Sequence, residues 1–353
     1  MRIGLICPYS LTVPGGVQGQ VLSLGRALRD LGHDALVLGP CDGPPPETGV
    51  IPLGNSIPTA ANGSVAPIAP DPACALRTIR AVWDEDFDVP HVHEPIVPGP
   101  CQTTLLLASA PIVGTFHSSG GSHAYYAPGV KWLAGRMTRR VVVSRQAEIT
   151  AKQRLGGSYT TLFNGIELER FAKATPTEFA DQTIVFVGRH EPRKGLEVLL
   201  KAFSRLEGSA RLAIAGQGPQ TAELQRRWGL YPRIDWLGHV NDGELVSLIK
   251  GADVLCVPSL HGESFGVVLL EGMAASTAVV ASDIDGYRNV ATDGLDALLV
   301  EPGDAAALAS GLQSVLDDSV LSERLVEAGL VRAEKFSMTR LAEEYLKIYE
   351  SLQ

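Results

Sequence analysis

The chain has 353 residues, of which 45% are apolar and 20% are charged, a balance typical of a folded protein with about two domains. Its 39 acidic residues outnumber its 30 basic residues, which gives a formal net charge of -9. This charge argues against a general nucleic-acid-binding protein, which needs an excess of Lys and Arg, and the apolar content argues against a disordered chain.

Short apolar runs alternate with amphipathic runs through the first half of the chain. The apolar residues after position 16 recur every three or four residues and predict a helix that ends at Gly32. Residues 41–72 are rich in proline and glycine and predict a long functional loop with room for a short hairpin. The predicted strands are residues 3–7, 35–38, 89–93, 112–116 and 141–144.

The same alternation returns in the second half, where helices are predicted at residues 196–206 and 338–352. Its predicted strands are residues 184–187, 212–215, 234–237, 254–257, 279–281 and 297–300. Strands that alternate with helices imply right-handed crossovers and parallel sheets. We therefore predict an α/β fold with two facing, Rossmann-like, doubly wound domains and a cleft between them.

The predicted domain boundary lies near residue 163. Residues 1–163 form the first domain and residues 164–337 the second, with a hinge near residues 163–172. The C-terminal helix, residues 338–353, is expected to pack back on the first domain. Ligands of open parallel sheets bind at the carboxyl ends of the strands, so motifs that directly follow a strand are the candidates for a site.

Two glycine-containing loops follow predicted strands. Gly15 and Gly16, after the first strand, can let backbone amides approach a phosphate, although a simple tight turn is the alternative. Residues 188–195, GRHEPRKG, place Arg189 and Lys194 around a turn that begins a helix. A guanidinium and an ammonium suit a diphosphate, and a solvated basic loop is the alternative. Neither loop matches the dinucleotide or P-loop spacing.

A third motif follows the strand at 254–257. Glu263 lies in a loop and Glu271 lies two turns into the next, otherwise apolar helix. The amides of Ser264, Phe265 and Gly266 are expected to be free at the helix start, where they can hold hydroxyls or a phosphate. Carboxylates accept two hydrogen bonds and so bind paired sugar hydroxyls. A charge on an apolar helix needs a partner, which weakens the alternative of two unrelated surface residues.

These motifs together resemble the retaining glycosyltransferases of family four, which have the two-domain GT-B fold. The glutamate pair appears as ESFGVVLLE in residues 263–271, and the resemblance extends essentially from end to end. It is strongest to the bacterial members that mannosylate phosphatidylinositol. The residues that carry this part of the resemblance are 7–10, 13–18, 62–66, 91–95, 115–118 and 191–195.

The resemblance implies a role for each matching residue of the donor site. Gly15 and Gly16 approach the donor diphosphate, which Arg189 and Lys194 neutralise. Glu271 binds the ribose. The transferred sugar is held by Glu263 together with the backbone amides of Ser264, Phe265 and Gly266.

The resemblance also implies residues on the acceptor side. His117 lies beside the transferred sugar, and Tyr9, Gln18 and Asn62 line the acceptor pocket. The residues with implied catalytic roles are His117, Arg189, Lys194 and Glu263.

The function implied is transfer of a hexose, expected to be mannose from GDP-mannose, to a membrane lipid such as phosphatidylinositol. A front-face mechanism is expected, in which Glu263 orients the sugar and no obligatory metal or other cofactor is needed, although Mg²⁺ is compatible. Gly272 and Ser276 replace the usual Ala and Gly, which affects packing and little else, and residues 67–74, PIAPDPAC, lack the bases that these relatives use for an anionic lipid. A soluble small molecule or a glycan is therefore the alternative acceptor, and a non-catalytic sugar-nucleotide-binding protein is the third hypothesis.

The expected location is the cytoplasm, because the five scattered cysteines form no CxxC pair and the first apolar run is too short for a signal peptide. Residues 125–145 carry five bases, no acid and the aromatic residues Tyr125, Tyr126 and Trp132. This composition suits an anionic membrane surface on the inner face of the cell membrane, and an ordinary solvated helix is the equal alternative. His91 and His93 share a strand face without a third ligand at suitable spacing, so no metal site is predicted.

Overall fold

The computed structural model describes residues 1–61, 64–118 and 123–353, which form two compact units. Unit 1 consists of residues 1–165 and 338–353, and unit 2 consists of residues 166–337. All five cysteines are buried free thiols.

Unit 1 is built on a seven-stranded parallel sheet with the strand order β3-β2-β1-β6-β7-β8-β9, and β4 and β5 form a separate antiparallel hairpin. The strands are β1 Arg2–Ile6, β2 Asp34–Gly39, β3 Val50–Pro52, β4 Ile57–Ala61, β5 Ser64–Ile68, β6 Val89–His93, β7 Val113–Phe116, β8 Arg139–Val142 and β9 Thr160–Thr161. The helices that follow them are α1 Gly16–Asp30, α2 Pro72–Glu85, α3 Pro100–Leu107, α4 Val130–Gly135 and α5 Arg145–Leu155.

Unit 2 is built on a six-stranded parallel sheet with the order β12-β11-β10-β13-β14-β15. Its strands are β10 Thr183–Val187, β11 Arg211–Ala215, β12 Ile234–Gly238, β13 Val254–Val257, β14 Ala278–Ser282 and β15 Leu298–Val300. Its helices are α6 Leu168–Lys173, α7 Leu196–Phe203, α8 Thr221–Trp228, α9 Asp242–Gly251, α10 Val267–Ala274, α11 Ala305–Asp317 and α12 Ser319–Glu334. The final helix, α13 Met338–Glu350, belongs to unit 1.

Helices cover both faces of each sheet, as the buried apolar strands require. In unit 1, α2 to α5 pack on one face, while α1 and α13 pack on the other. In unit 2 one core joins α7, α8, α11 and α12, and the opposite core joins α6, α9 and α10. Side-chain caps fix several helix starts: Asp71 accepts from the amide of Cys74, and Asn241 forms a reciprocal capping box with Glu244.

The predicted α/β class and all eleven predicted strands are confirmed, with ends that differ by at most two residues. The hairpin in the proline-rich segment is also present. The prediction of a loop over residues 41–72 was wrong at one place, because Val50–Pro52 adds an edge strand, β3, beside β2. The two-residue edge strand β9 was not predicted either. Both are too short to show a periodic pattern.

Candidate active site

The strand order of unit 2 brings two of the predicted motifs together. The order reverses between β10 and β13, which are hydrogen-bonded neighbours, so the loops after them leave the same edge of the sheet on opposite sides. Gly195 closes the first loop with a φ of +71°, and a Cβ there would lie 1.9 Å from the carbonyl oxygen of Pro258. The backbone amide of Leu260 donates to the carbonyl oxygen of Arg193 at 2.7 Å. The two loops are therefore in direct backbone contact.

A chain of alternating charges runs through these two loops. Arg189 Nε lies 2.9 Å from Glu191 Oε1, and Arg193 Nε lies 3.0 Å from Glu191 Oε2. Arg193 Nη1 and Lys194 Nζ then reach Glu263 Oε1 at 2.9 and 2.7 Å. The Glu191 side chain is only 4% exposed, whereas that of Arg189 is 50% exposed. Charge-assisted contacts of this kind hold the cations in place at the ligand edge of the sheet.

Glu263 has further support from inside the unit. Ser259 Oγ donates to Glu263 Oε1 at 3.3 Å, and the buried Tyr287 hydroxyl donates to Ser259 Oγ at 2.7 Å. Gly286 permits a close backbone approach, since a Cβ there would lie 2.1 Å from the Glu263 carbonyl oxygen. One oxygen of Glu263 thus accepts from three donors, and its loop is fixed on two sides.

The helix α10 begins directly after this loop. Gly266 caps it with a φ of +103°, and Phe265 is buried against Phe336, so Phe265 can contribute only through its backbone. Ser264 is partly buried beside them.

Glu271 lies on the first turns of α10, where it is partly buried. Burial raises the pKa of its carboxyl from 4.5 to about 7; Arg170 and Lys194 oppose this rise, and Asp242 adds to it. Lys194 therefore contacts Glu263 and also acts electrostatically on Glu271. Unit 2 thus assembles Arg189, Lys194, Glu263 and Glu271 around one pair of loops.

In unit 1 the glycine pair lies at the start of α1. Gly15 is the N-cap, and a Cβ there would lie 2.4 Å from Gln18 Oε1, whereas the space beside Gly16 is open. The Gln18 amide group donates to the carbonyl oxygens of Val13 at 3.1 Å and Ser10 at 3.4 Å. The buried Gln18 side chain thus fixes the loop after β1.

Tyr9, one of the predicted acceptor residues, contacts the hairpin of unit 1. Tyr9 pairs with Ile68 in an isolated bridge, and the amide of Ser10 donates to the Pro67 oxygen at 2.9 Å, so the hairpin docks on the loop after β1. Burial raises the pKa of the Tyr9 hydroxyl well above its usual range, which keeps it a neutral hydrogen-bonding group. Asn62 lies outside the described residues.

His117 follows β7 and is buried. Its amide donates to Glu94 Oε1 at 2.8 Å, and the Ser118 hydroxyl donates to the same oxygen at 2.7 Å. Glu94 has a φ of +49°, an uncommon conformation for a residue with a side chain, and it directs its buried carboxylate at the His117 backbone. Burial lowers the pKa of His117 to about 4, so its ring is neutral at physiological pH.

Sequence reasoning missed five residues that contact the predicted site residues of their own unit: Glu94 in unit 1, and Glu191, Arg193, Ser259 and Tyr287 in unit 2. Glu94, Glu191 and Arg193 lie within segments that the resemblance singled out, but nothing in their spacing shows what they contact. Ser259 and Tyr287 are distant in sequence, and only the pairing of β13 with β14 brings the loops that carry them together.

The basic segment at residues 125–145 is less uniform than its composition indicated. Tyr125 is buried against Phe116, so its expected place on the surface was wrong. Arg136 and Arg140 donate to backbone oxygens and brace the fold. Tyr126 and Trp132 are 59% and 63% exposed, and the exposed bases nearby are Lys131, Arg139 and Arg145.

The described residues contain neither a membrane-spanning helix nor a cluster of metal ligands. No helix in the described ranges is long and apolar enough to cross a membrane. Within the same ranges, no three His, Cys, Asp or Glu side chains come together as metal ligands. After β14 the sequence Asp283-Ile284-Asp285 has the DxD pattern of some metal sites. The Arg288 guanidinium donates hydrogen bonds of 2.6 and 2.7 Å to the Asp283 carboxylate.

Comparisons with known proteins agree with this arrangement. A family model described as "Glycosyltransferase Family 4" matches residues 14–170, and one described as "Glycosyl transferases group 1" matches residues 169–332. The phosphatidyl-myo-inositol mannosyltransferases of Mycobacterium leprae and Mycolicibacterium smegmatis are 38% and 36% identical over all of this chain and 97% and 94% of theirs. The solved structure of Anabaena HepE with UDP and glucose superposes with a TM-score of 0.78 at 18% identity, covering both chains fully.

Two Rossmann-like units and these matches define a glycosyltransferase with the GT-B fold. More specifically, the chain belongs to glycosyltransferase family four.

Proposed function

We propose that the chain transfers mannose from GDP-mannose to phosphatidylinositol with retention of the anomeric configuration. The observation that carries the proposal is the convergence of Arg193, Lys194 and Ser259 on one oxygen of Glu263. The mannosyl donor and the lipid acceptor are supported by relatives of that activity, which align with the whole chain at 36–38% identity.

The donor binds to unit 2 in this proposal. The diphosphate lies beside Lys194 and the half-exposed Arg189, whose charges stabilise the negative charge that develops on the leaving group. The cations are held by Glu191 and Glu263 before the substrate arrives, so little reorganisation is needed during reaction. These charges can serve the leaving group without a metal ion, and we propose that Mg²⁺ is not required.

Glu263 acts as an orienting residue rather than a nucleophile. Its Oε1 already accepts from two cations and a hydroxyl, so the lone pairs that a nucleophile would use are engaged in charge-assisted hydrogen bonds. The carboxylate instead accepts hydrogen bonds from the hydroxyls of the transferred sugar. Retention then follows from a front-face reaction, in which the departing phosphate takes the proton of the acceptor hydroxyl.

The acceptor binds to unit 1, near Tyr9, Gln18, Asn62 and His117. Contact with the membrane is proposed through Tyr126, Trp132 and the exposed bases of residues 125–145. Aromatic rings suit the headgroup region, and Lys and Arg are attracted to an anionic lipid surface.

A second acceptor class is favoured by one observation. Residues 41–76, which include the hairpin beside Tyr9, contain no Lys or Arg. The segment itself offers no cation to a lipid phosphate, and Arg77, which contacts it, donates to the Leu53 carbonyl oxygen; this suits a neutral soluble acceptor.

The test is transfer of radiolabelled mannose from GDP-mannose to vesicles that contain phosphatidylinositol. UDP-glucose and vesicles without phosphatidylinositol are the matched controls. We expect a labelled lipid product only with GDP-mannose and phosphatidylinositol, with or without a chelator. Transfer to a soluble acceptor in the absence of vesicles would select the second acceptor class, and binding of neither nucleotide sugar would refute the enzymatic assignment.

A further inference from the structure

A buried pair of histidines connects strand β6 to the predicted catalytic residue His117. His93 is the last residue of β6 and is 2% exposed. Its Nδ1 lies 2.9 Å from His117 Nε2, and the two rings are 5.2 Å apart. The two histidines therefore share one hydrogen bond, in which one ring donates its proton and the other accepts it.

The surroundings of His93 decide the direction of this hydrogen bond. Its other nitrogen, Nε2, is buried and has no hydrogen-bond partner among the described residues. If His93 accepted from His117, its single proton would be on Nε2, as a buried N–H without an acceptor. Unpaired buried N–H groups are rare and costly, whereas an unpaired acceptor is tolerated more often. The proton of His93 therefore belongs on Nδ1, pointing at His117.

The remaining contacts are compatible with this direction but do not set it. Asn164 hydrogen-bonds the His117 side chain, and an amide can serve as donor or acceptor. His91 stacks on the His93 ring at 4.1 Å, and its own nitrogens are occupied by the hydroxyls of Tyr349 and Thr115, both at 2.7 Å. Neither neighbour offers a partner to His93 Nε2.

We propose that His93 is a positioning residue that holds His117 in one tautomer, by donating its Nδ1–H to His117 Nε2. His117 then carries its own proton on Nδ1, and its Nε2 lone pair is occupied. In that state the ring cannot take a proton from the acceptor without breaking the bond to His93. His117 thus contributes a fixed, neutral surface beside the sugar and is not the base of the reaction. The role of His117 in catalysis rests on the proposed function, whereas the assignment of its tautomer does not.

The tautomer can be read directly in the full-length protein. Selective ¹⁵N labelling of the histidine rings, with long-range ¹H–¹⁵N spectra at pH 7.5, distinguishes protonated from unprotonated ring nitrogens. We expect both His93 and His117 to be protonated on Nδ1 and unprotonated on Nε2. An Nε2-protonated form of either residue would overturn the proposal, whatever the enzyme transfers.

Two variants test whether His93 acts through His117. His93→Leu removes the donor, so the His117 ring should become a mixture of tautomers and kcat should fall about tenfold, the rate equivalent of one lost hydrogen bond, with an unchanged KM for the donor. His93→Asn places an amide N–H near the position of Nδ1 and should keep the single tautomer and kcat within about threefold of the parent.

Tyr349→Phe is the matched control, because it removes a buried hydrogen bond from the same strand without touching His93 or His117. It should leave the His117 spectrum unchanged. A single His117 tautomer and normal kcat in His93→Leu would refute the positioning role. If His93→Leu does not fold, the parent spectrum and the rescue by His93→Asn decide: loss of the single tautomer in a folded His93→Asn protein would also count against it.

Discussion

Donor binding should weaken on acidification because of Glu271. Burial on α10 raises the pKa of this carboxyl to about 7 from an ordinary 4.5, and a ribose diol needs the ionised form, which accepts two hydrogen bonds. The buried His190 of the donor loop and the buried His117 both have a pKa of about 4 and stay neutral from pH 6 to pH 8. We therefore expect the dependence in that range to come from Glu271, which the Glu271→Gln control isolates.

The size of the effect follows from the fraction of Glu271 that is ionised. With a pKa of about 7, about nine-tenths of the carboxyl is ionised at pH 8 and about one-tenth at pH 6. The dissociation constant for the donor should thus rise about tenfold over this range. An ordinary carboxyl, with a pKa of 4.5, would change it by only a few per cent.

The raised pKa also has a consequence for stability. The folded protein holds this proton more tightly than the unfolded chain does, so the contribution is favourable below pH 4.5 and is lost as the pH rises towards 7. Between pH 4 and pH 8 the titration of Glu271 therefore lowers the free energy of unfolding by an amount on the order of 3 kcal/mol. Glu271→Gln should raise the free energy of unfolding at pH 8 while it weakens donor binding.

Calorimetric titration with GDP-mannose is the assay, because its phosphates do not titrate between pH 6 and pH 8. Glu271→Gln is the control and should bind the donor weakly and equally at both values. A dissociation constant of the parent protein that is the same at pH 6 and pH 8 would refute the reasoning. So would a tenfold dependence that persists in Glu271→Gln.

Substitutions at five positions test other parts of the structure. Lys194→Ala and Arg189→Ala should each lower turnover about a hundredfold or more, because each removes a preorganised charge from the leaving group, and near-normal turnover in both would contradict their role. Ser276→Gly should raise the Tm by about 2 °C, because Ser276 is exposed with a φ of +61°, while Ser276→Ala should leave it unchanged. Gly195→Ala should lower the free energy of unfolding by about 2 kcal/mol or more in denaturant titrations, since its Cβ meets the oxygen of Pro258. Tyr287→Phe should lower kcat about tenfold with a smaller effect on Tm, and an unchanged kcat would exclude its support of Glu263.

The strands could be predicted because their apolar runs are bounded by turns. The order of the strands in each sheet could not be predicted. Two other strands lie between the apolar runs Ile184–Val187 and Val254–Val257 in the sequence. Nothing in either run specifies that β10 and β13, the strands they form, are neighbours in the sheet. The resemblance to family four supplied the site residues that topology alone could not. Edge strands such as Val50–Pro52 escaped because three residues carry no period.

Sequence predicted the cations of the site but not their partners. Arg189 and Lys194 were identified as charges for a diphosphate, whereas the structure binds each to a carboxylate, Glu191 or Glu263. A carboxylate reduces the net charge of the site, yet it also fixes the position of a flexible side chain whose entropy would otherwise oppose binding.

The alternation of charge in this network explains how an anion can still be attracted. The network contains three cations and two carboxylates, so its net charge is one positive unit. These groups are Arg189, Arg193, Lys194, Glu191 and Glu263. Glu271 adds less than a full negative charge near neutral pH, because its carboxyl is partly protonated. Full ionisation of Glu271 brings the sum of these charges to zero, so the diphosphate is attracted by the placement of Arg189 and Lys194 rather than by a net positive charge. Lys194 connects the two carboxylates, because it contacts Glu263 directly and, together with Arg170, opposes the rise in the pKa of Glu271 that burial causes.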